Sequence, residues 1–389
     1  MKMKTFLLGI GAAGNKAAIT AIEDKIIDSK YVRLVNTTSK DIPDEYKINT
    51  DLVLPLPSAL GGCGKEPSKG RKAAIDAIRS KSINLGNIID QDTKQVVLVT
   101  STEGGTGCGA TPIIAKYLEA MNIPVHIFAF IGFQDEARGI NNTLKFFREL
   151  SSSVILHTIC NEKFKDFSGN YSRAEEAANK EFAKQLEILL GSKLICSDQN
   201  IDDTDLYKLV TTSGYMDVKH IKLAGIKSIA HSNEIIKNAF DNALCLDYEP
   251  GCKRLGIIID APQRIIDAID EKFEVIRRYT GEPYEIFRHI QSTGQSTCTM
   301  DIIISGLAYP ESAIKNIAEK YNAIKSKVST ETKSFDAIFE SIDIDDNEDN
   351  EFDVDVDEKE KTLSADEALD KFITRINNVV IKANPDDEY

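Results

Sequence analysis

Residues 95–118 join an apolar run, QVVLVTST, to a glycine-rich loop and then to a helical pattern of apolar residues. Such a run is typical of a strand in a parallel sheet, because that strand is buried on both faces. Thr111 and Pro112 suit an N-cap and the first helical position, so they predict where the next helix begins. The segment predicts one strand–loop–helix unit of an α/β sheet.

The same alternation repeats through the first part of the chain. Strand patterns lie at residues 5–10, 31–35, 50–56, 95–102, 124–131 and 152–160. Helical patterns lie between them, at 17–27, 72–78 and 141–150 among others. Alternation of this kind predicts an α/β fold with a Rossmann-like, doubly wound sheet.

The second half of the chain has a different pattern. A long helical pattern over residues 172–193 ends at Gly191. We interpret residues 202–221 as loop and turn. Helical and strand-like patterns then mix, at 231–244, 254–261, 284–290 and 299–308, which predicts an α+β unit over about 200–328.

The C-terminal part is strongly acidic. Residues 341–361 contain eleven Asp or Glu and two Lys, a net charge of −9, which predicts a tail that does not fold by itself. Beyond it, Ser364 and Glu367 have the spacing of a capping box, and the apolar residues that follow share one helical face. The sequence predicts an acidic tail with an amphipathic terminal helix, which docks on its own body, on a neighbouring subunit or on a partner.

Charge and cysteine content limit the function classes. The formal net charge of −14 makes direct binding of nucleic acid a poor expectation, because phosphate attraction requires clustered Lys and Arg. The seven scattered cysteines include no CxxC pair, so we expect reduced thiols without a metal-binding or disulfide role. No run approaches the roughly 20 apolar residues of a membrane span, and we expect a cytoplasmic protein.

The loop after residue 102 has the composition of an anion site. Gly104, Gly105, Gly107 and Gly109 let the backbone approach phosphate oxygens without Cβ clashes. The free N–H groups and the dipole of the next helix favour an anion at the same place. No lysine follows as it does in a Walker loop, so backbone dipoles are expected to hold the phosphates. A tight structural turn is the alternative.

GIGAAG, residues 9–14, fits a dinucleotide loop when taken alone. A nicotinamide dehydrogenase, however, places an acidic residue after the second strand, where this chain has Asn36 and Thr37. It also gives no reason for two more glycine loops, at 61–70 and 104–109. Three such loops favour a nucleotide with several phosphates.

The motifs GIGAAGN, VNTTSKD, GGCGKEPSKGRKAA, EGGTGCGATP, FQDEAR and CNEKF occur in this order. Over about residues 1–328, this order resembles the tubulin/FtsZ superfamily, and GGTGCG is similar to its signature loop. The GCGKE loop and the divergent second half look most like the plasmid- and phage-encoded TubZ branch. The resemblance implies a GTP-binding domain at 1–173, a central helix and connection at 174–199, an activation domain with a synergy loop at 200–328, and the tail at 329–389.

The resemblance also implies the residues that hold GTP or GDP. They are Gly9, Gly11, Ala12, Ala13, Gly14 and Asn15 in the first loop, Asn36 in the second, Gly61, Gly62 and Gly64 in the γ-phosphate loop, Gly104, Gly105, Thr106, Gly107, Cys108 and Gly109 at the diphosphate, Glu136 and Arg138 at the sugar, and Asn161 and Asn179 at guanine. An amide offers a donor and an acceptor together, which suits the guanine edge. For either asparagine alone, capping or solvent exposure is the structural alternative.

Catalysis in the family is shared between subunits of a head-to-tail filament. SGYMDVKHIKL is similar to the family's N-x-D-x-x-D-V-K pattern, which implies Asp217 as the acid that positions water. A helix N-cap before Val218 is its structural alternative. The resemblance also implies Mg²⁺ bound mainly by phosphate oxygens.

Three positions depart from the family pattern. Glu103 stands at a signature glycine, Gly214 at the first synergy acid, and Glu175 at an aromatic position, so Tyr171 is a substitute for stacking on the base. We therefore expect either a polymerising GTPase that positions plasmid or phage DNA through an adaptor bound to the acidic tail, or a GTP-binding structural filament protein with weak or no hydrolysis.

Overall fold

The apolar runs form one ten-stranded mixed sheet in the computed structural model, which describes residues 3–58, 61–89, 92–164, 170–192, 194, 200–292 and 298–339. The strands are β1 Thr5–Ile10, β2 Val32–Asn36, β3 Val53–Pro55, β4 Gln95–Ser101, β5 Val125–Ile131, β6 Ile155–Cys160, β7 Gly214–Lys222, β8 Arg254–Asp260, β9 Glu285–Gln291 and β10 Thr299–Leu307. Their order across the sheet is β3-β2-β1-β4-β5-β6-β7-β10-β8-β9.

Helices fill the connections between these strands. They are α1 Gly11–Glu23, α2 Asp44–Lys47, α3 Pro67–Arg79, α4 Leu85–Ile88, α5 Thr106–Ala120, α6 Ala137–Glu149, α7 Tyr171–Leu189, α8 Asp203–Val210, α9 Ile229–Asp241, α10 Gln263–Ile266, α11 Glu274–Thr280 and α12 Glu311–Phe339. Helix α1 packs against α7, while α5 packs against α3 and α6. Helices on both faces explain why β1, β4, β5 and β6 are almost entirely buried and apolar.

The first six strands are parallel, and their order reverses at β1. From β1 the chain moves outward to β2 and β3, and then crosses back to β4 on the other side of β1. The crevice at the carboxyl ends of β1 and β4 is therefore a topological switch point, where doubly wound sheets bind their ligands.

The same sheet continues into the second half of the chain. Strand β7 pairs with β6 in parallel, β10 pairs antiparallel with both β7 and β8, and β8 pairs in parallel with β9. The α/β and α+β parts predicted from the sequence are thus joined by one hydrogen-bonded sheet. Within the described ranges, no helix is long and apolar enough to cross a membrane.

The start predicted for the helix after β4 is wrong. Helix α5 begins at Thr106, so Thr111 and Pro112 lie inside it rather than at its N-terminus. The first turn of α5 is instead formed by the glycine loop itself. Pro112 misled the prediction of the helix start, because it lies in the second turn of α5.

The interpretation of residues 202–221 as loop and turn is also wrong. Helix α8 and strand β7 occupy most of this range, and no helix begins at Val218. Asp217 lies within β7 opposite Ile304, and it is buried. The position predicted to reach a neighbouring subunit is therefore a position in the core.

Asp217 is part of a buried ion pair. Its Oδ2 lies 2.8 Å from Lys219 Nζ and accepts a hydrogen bond from the Tyr248 hydroxyl at 2.9 Å. Burial is the largest single influence on the pKa of Lys219 and lowers it, but the charge and hydrogen bond of Asp217, together with the charges of other neighbouring groups, raise this pKa overall. The strand position and these two partners give Asp217 a structural environment that the sequence did not indicate.

The chain divides into two compact units, Met1–Tyr321 and Asn322–Tyr389. All ten strands belong to the first unit. In the second, the structure describes the backbone of residues 322–339, which continue α12. The predicted tail at 329–389 thus begins as helix, while the acidic segment and the terminal amphipathic helix lie outside the described residues.

Candidate functional site

Four loops meet at the carboxyl ends of β1 to β4. The first has no intervening residue, because β1 ends at Ile10 and α1 begins at Gly11. The others follow Asn36, precede α3 and join β4 to α5. The predicted nucleotide loops therefore lie together at the switch point.

Two glycines permit the contact between the first and last loops. Gly11 has a φ of +75°, and a Cβ on it would lie 3.0 Å from the backbone nitrogen of Gly107. A Cβ on Gly107 would in turn lie 3.2 Å from the carbonyl oxygen of Ile10 and would overlap Thr100. Larger residues at either position would separate the two helix N-termini.

The N-termini of α1 and α5 lack side-chain caps. Their N-cap residues are Ile10 and Gly105, and neither provides a hydrogen bond to the first helical N–H groups. Uncapped N–H groups and the helix dipole both favour an anion. Two such termini side by side can hold the oxygens of a diphosphate.

The glycines do not all serve this crevice. A Cβ on Gly104, Gly61 or Gly62 would meet no atom within 4 Å, so these residues border open space. A Cβ on Gly109 would instead overlap the carbonyl oxygen of Pro67, because α5 packs closely on α3. Gly109 was predicted at the diphosphate, but its close approach is to a helix.

Side-chain contacts join the second, third and fourth loops. The hydroxyls of Thr37 and Thr106 lie 2.8 Å apart, and the Cys63 thiol lies 3.7 Å from Thr37 Oγ1. Asn36 Oδ1 accepts a hydrogen bond from Thr37 N at 2.9 Å. A change in the loop of Cys63 can therefore reach the N-terminus of α5 through two hydroxyls.

Asn15 is the strongest sign of a missing ligand. It is fully buried in α1, and neither its Oδ1 nor its Nδ2 has a hydrogen-bond partner within the described part of the chain. Asn161 Oδ1, after β6, is likewise buried without a partner. Orphaned buried amide atoms are costly, so we expect a polar molecule to satisfy both. Asn179 lies half-buried on α7.

The predicted sugar-side residues already have ionic partners. Glu136 Oε1 lies 2.7 Å from Lys65 Nζ, and Arg138 lies 3.6 Å from Glu66. These two pairs connect the start of α6 to the loop before α3. Both are largely exposed, so a bound ribose can replace them at small cost.

Glu103 points away from the crevice. Its carboxyl group occupies the space left by Gly132 and Gly139, and Oε1 accepts a hydrogen bond from Gln134 N at 3.4 Å. Burial raises the pKa of this carboxyl group, although the Gln134 hydrogen bond opposes the shift. Asn142 of α6 donates to the Glu103 carbonyl oxygen at 2.9 Å. The departure at Glu103 thus keeps its charge off the phosphate face.

Several predicted residues can contribute only their backbone. The Cys108 thiol is directed at the carbonyl oxygen of Asn142 on α6, and burial raises its pKa to about 12. Ala12 and Ala13 form the first turn of α1, and a Cβ on Gly9 would lie 2.6 Å from the Gly14 carbonyl oxygen. Tyr171 packs edge-on against Phe133 with ring centroids 4.3 Å apart.

A second segment with the spacing of the family's acid pattern lies at the other end of the sheet. Asn200, Asp202 and Asp205 have the N-x-D-x-x-D spacing that we had assigned to the Asp217 segment. Asp202 is exposed and caps α8 by accepting from Asp205 N at 2.8 Å. Asp205 is half-buried. The intact spacing, without a glycine at the first acid, was the available signal.

Residues 4–169 match the model of the Tubulin/FtsZ family, GTPase domain. The tubulin-like protein CetZ of Thermococcus kodakarensis is 24% identical over 363 residues, covering 88% of this chain and 94% of that protein. The phage c-st TubZ of Clostridium botulinum has a TM-score of 0.66 at 16% identity, covering 84% of this chain and 100% of that one. A GTPγS-form protofilament of Bacillus thuringiensis serovar israelensis TubZ gives 0.68 at 16% identity, with 85% and 94% covered.

The switch-point crevice and the uncapped helices define a nucleotide-binding protein with the tubulin fold. The family match shows which kind of nucleotide-binding domain this is. The chain carries a Tubulin/FtsZ GTPase domain over residues 4–169.

Proposed function

We propose that the chain binds GTP and GDP in the crevice between β1 and β4, and that it hydrolyses GTP while assembled head-to-tail into filaments. The observation that carries the proposal is the pair of uncapped helix N-termini beside the fully buried, unpartnered Asn15. The helix N-termini favour an anion, and the Asn15 amide lacks a hydrogen-bonding partner. A nucleoside polyphosphate has both an anionic and a hydrogen-bonding part.

Each loop then has a role toward the nucleotide. Backbone N–H groups of Gly104 to Gly107 and of α1 hold the phosphates. The amides of Asn161 and Asn179 bind the guanine edge. Glu136 and Arg138 exchange their ionic partners for the ribose. The described residues contain no cluster of three His, Cys, Asp or Glu, so Mg²⁺ would take phosphate oxygens as its main ligands and neutralise their charge.

The acids of the α8 connection cannot serve the nucleotide of their own chain. Helix α7 begins beside Phe133 of the β5–α6 loop, and its 19 residues span about 28 Å. Asp203 and Tyr207 of α8 line a pocket with Met3 and Lys4, before the amino end of β1. Asp202 and Asp205 are therefore at the opposite end of the sheet from the crevice.

A second copy stacked along the strand direction closes this gap. Its α8 connection would present Asp202 and Asp205 to the γ-phosphate, where a carboxylate orients the attacking water. We propose these two residues in the catalytic role that the sequence assigned to Asp217. Hydrolysis then requires assembly, because each site is made of two molecules. The TubZ protofilament and the likeness to CetZ support this arrangement.

The experiment compares Asp202→Asn with Asp203→Asn. Asparagine caps a helix as well as aspartate does, so both variants should fold and assemble with GTP. Phosphate release per subunit should rise above a critical protein concentration in the native chain and in Asp203→Asn. It should fall at least about a hundredfold in Asp202→Asn, as expected for loss of a positioned general base. Equal activity in the two variants would contradict the role of Asp202.

The structural-filament alternative loses its two motivations in this fold. The Glu103 carboxyl group packs against Gly132 and Gly139, and Gly214 lies in strand β7, so with Asp202 proposed as the first acid neither departure argues against hydrolysis. GTP-dependent filaments that release no phosphate would restore it. The predicted cargo, plasmid or phage DNA bound through an adaptor, stays a prediction. Loss of a low-copy plasmid from cells that express a chain ending at residue 339 would support it.

A further inference from the structure

A groove of about 610 Å³ lies between α3 and α6. Seven Lys or Arg and three Asp or Glu line it, a net charge of +4. The groove is therefore positively charged although the whole chain has a net charge of −14. Its positive charge favours the binding of an anionic partner.

Four of these cations have no ion-pair or hydrogen-bond partner within the described part of the chain. The other three are paired: Arg71 with Glu149, Arg138 with Glu66, and Lys65 with Glu136. By contrast, the exposed side chains at the remaining positions form no ion pair or hydrogen bond with any residue the structure describes; they are Lys72, Arg79, Lys145 and Arg148.

The four cations form two rows. Lys72 and Arg79 are seven residues apart on α3, which places them on one face about 10 Å apart along the helix. Lys145 and Arg148 are neighbours three residues apart on α6. An extended acidic segment in the groove would meet cations from both walls.

We propose that this groove binds the acidic segment 341–361 of a neighbouring copy of the chain. The segment has a net charge of −9, and one residue separates it from Phe339, the last described residue. Copies with a net charge of −14 repel one another, so assembly gains from a contact that joins the acidic segment of one copy to the basic groove of the next. The choice of a neighbouring copy rests on the proposed assembly.

Nucleic acid fits the groove less well than an acidic peptide does. Asp76, Glu66 and Glu149 also line it, and the surrounding protein is negative, so a long phosphate backbone would be repelled on leaving the groove. The acidic segment, in contrast, is present in every molecule and in equal number.

Zero-length cross-linking with a carbodiimide tests the proposal in the full chain, assembled with GTPγS. The reagent joins carboxylates to the amines of Lys72 and Lys145, and mass spectrometry identifies the joined peptides. We expect cross-links from both lysines to 341–361. They should disappear at about 1 M salt, where the Debye length is about 3 Å.

Two variants separate contact between copies from contact within one. Arg79→Glu with Arg148→Glu reverses the groove but keeps both reactive lysines, and a second chain has amides in place of all carboxylates of 341–361. Each alone should lose the cross-links about tenfold or more. An equal mixture should restore them, because the acidic segment of the first chain finds the intact groove of the second. Failure of the mixture, with cross-links in the native chain, would overturn the proposal.

Arg264→Glu with Arg278→Glu is the matched control, since both residues are exposed and lie outside the groove. It should keep the native cross-links. Labelled duplex DNA that binds at about 0.15 M salt and is released by the groove variant would also overturn the proposal. Sedimentation with GTPγS is recorded throughout, so filaments without cross-links would refute the groove contact and leave the proposed function intact.

Discussion

Replacing Asp217 tests whether this residue is structural or catalytic. Asp217→Asn removes its charge and leaves the Lys219 ammonium, with 8% of its side chain exposed, without a counter-ion. Breaking a buried pair from one side costs about 3–5 kcal/mol. The amide retains an acceptor for the Tyr248 hydroxyl, so the loss of charge dominates.

The size of the effect can be stated as a melting temperature. A unit of about 320 residues has an unfolding entropy of about 0.7 kcal/mol per degree, so about 4 kcal/mol lowers Tm by about 6 °C. Circular dichroism in the presence and absence of GTPγS measures that shift. At 20 °C the folded variant should keep most of its GTP hydrolysis.

Asp217→Asn/Lys219→Met provides the decisive comparison. Replacing both members of a buried pair is often close to neutral, so the double variant should recover most of the lost Tm. A double variant that regains Tm but hydrolyses no GTP would refute our argument and restore Asp217 to the catalytic site. Unchanged Tm in the single variant would contradict the buried ion pair itself.

Three further changes have defined outcomes. Gly107→Ala should abolish GTP binding measured by fluorescence titration, because a Cβ there overlaps Thr100, and normal binding by this variant would contradict the close approach of the two loops. Asn15→Ala should weaken GTP about tenfold yet leave or raise the Tm of the nucleotide-free protein, since its amide has no partner within the described residues. Burial lowers the pKa of His126 to about 3 and that of His157 well below its ordinary value. Between these values and pH 6.5 the unfolded state therefore binds more protons than the folded state, and Tm should fall as the pH drops from 6.5 toward 3. A Tm that stays constant over that range would contradict the burial of these two neutral imidazoles.

The first half of the fold could be predicted from the sequence because its signals are local. Fully buried parallel strands appear as short apolar runs, and β1 covers the predicted range, Thr5–Ile10. The structure requires glycine at positions 11 and 107, because two loops touch there. Both residues belong to glycine loops that already predicted a phosphate site. Helix boundaries were less accurate: α1 begins six residues before the predicted position, because glycine and alanine gave no apolar periodicity.

Residues 202–221 could not be predicted in the same way. Strand β7 contains Asp217, Lys219 and His220, which look like loop residues in a linear pattern. Their charges are tolerated because each has a partner: Asp217 and Lys219 pair on one face of β7, and His220 Nδ1 lies 2.6 Å from Asp301 Oδ1 on β10. The pairing of β7 with β10 brings His220 and Asp301 together, which a linear pattern does not show. The sequence assignment of the catalytic acid to Asp217 stays a prediction beside our proposal of Asp202 and Asp205.

The polarity of the sheet connects the two ends of the proposed site. Parallel strands place every glycine loop at their carboxyl ends, and α7 carries the chain back to the amino ends before Asp202 and Asp205 appear. A fold of this kind separates the nucleotide from the acids within each molecule. If Asp202 and Asp205 act on the nucleotide of another copy, as we propose, copies must stack by translation along the strand direction, so the topology that creates the crevice also sets the direction of assembly. A lateral dimer would leave both half-sites incomplete.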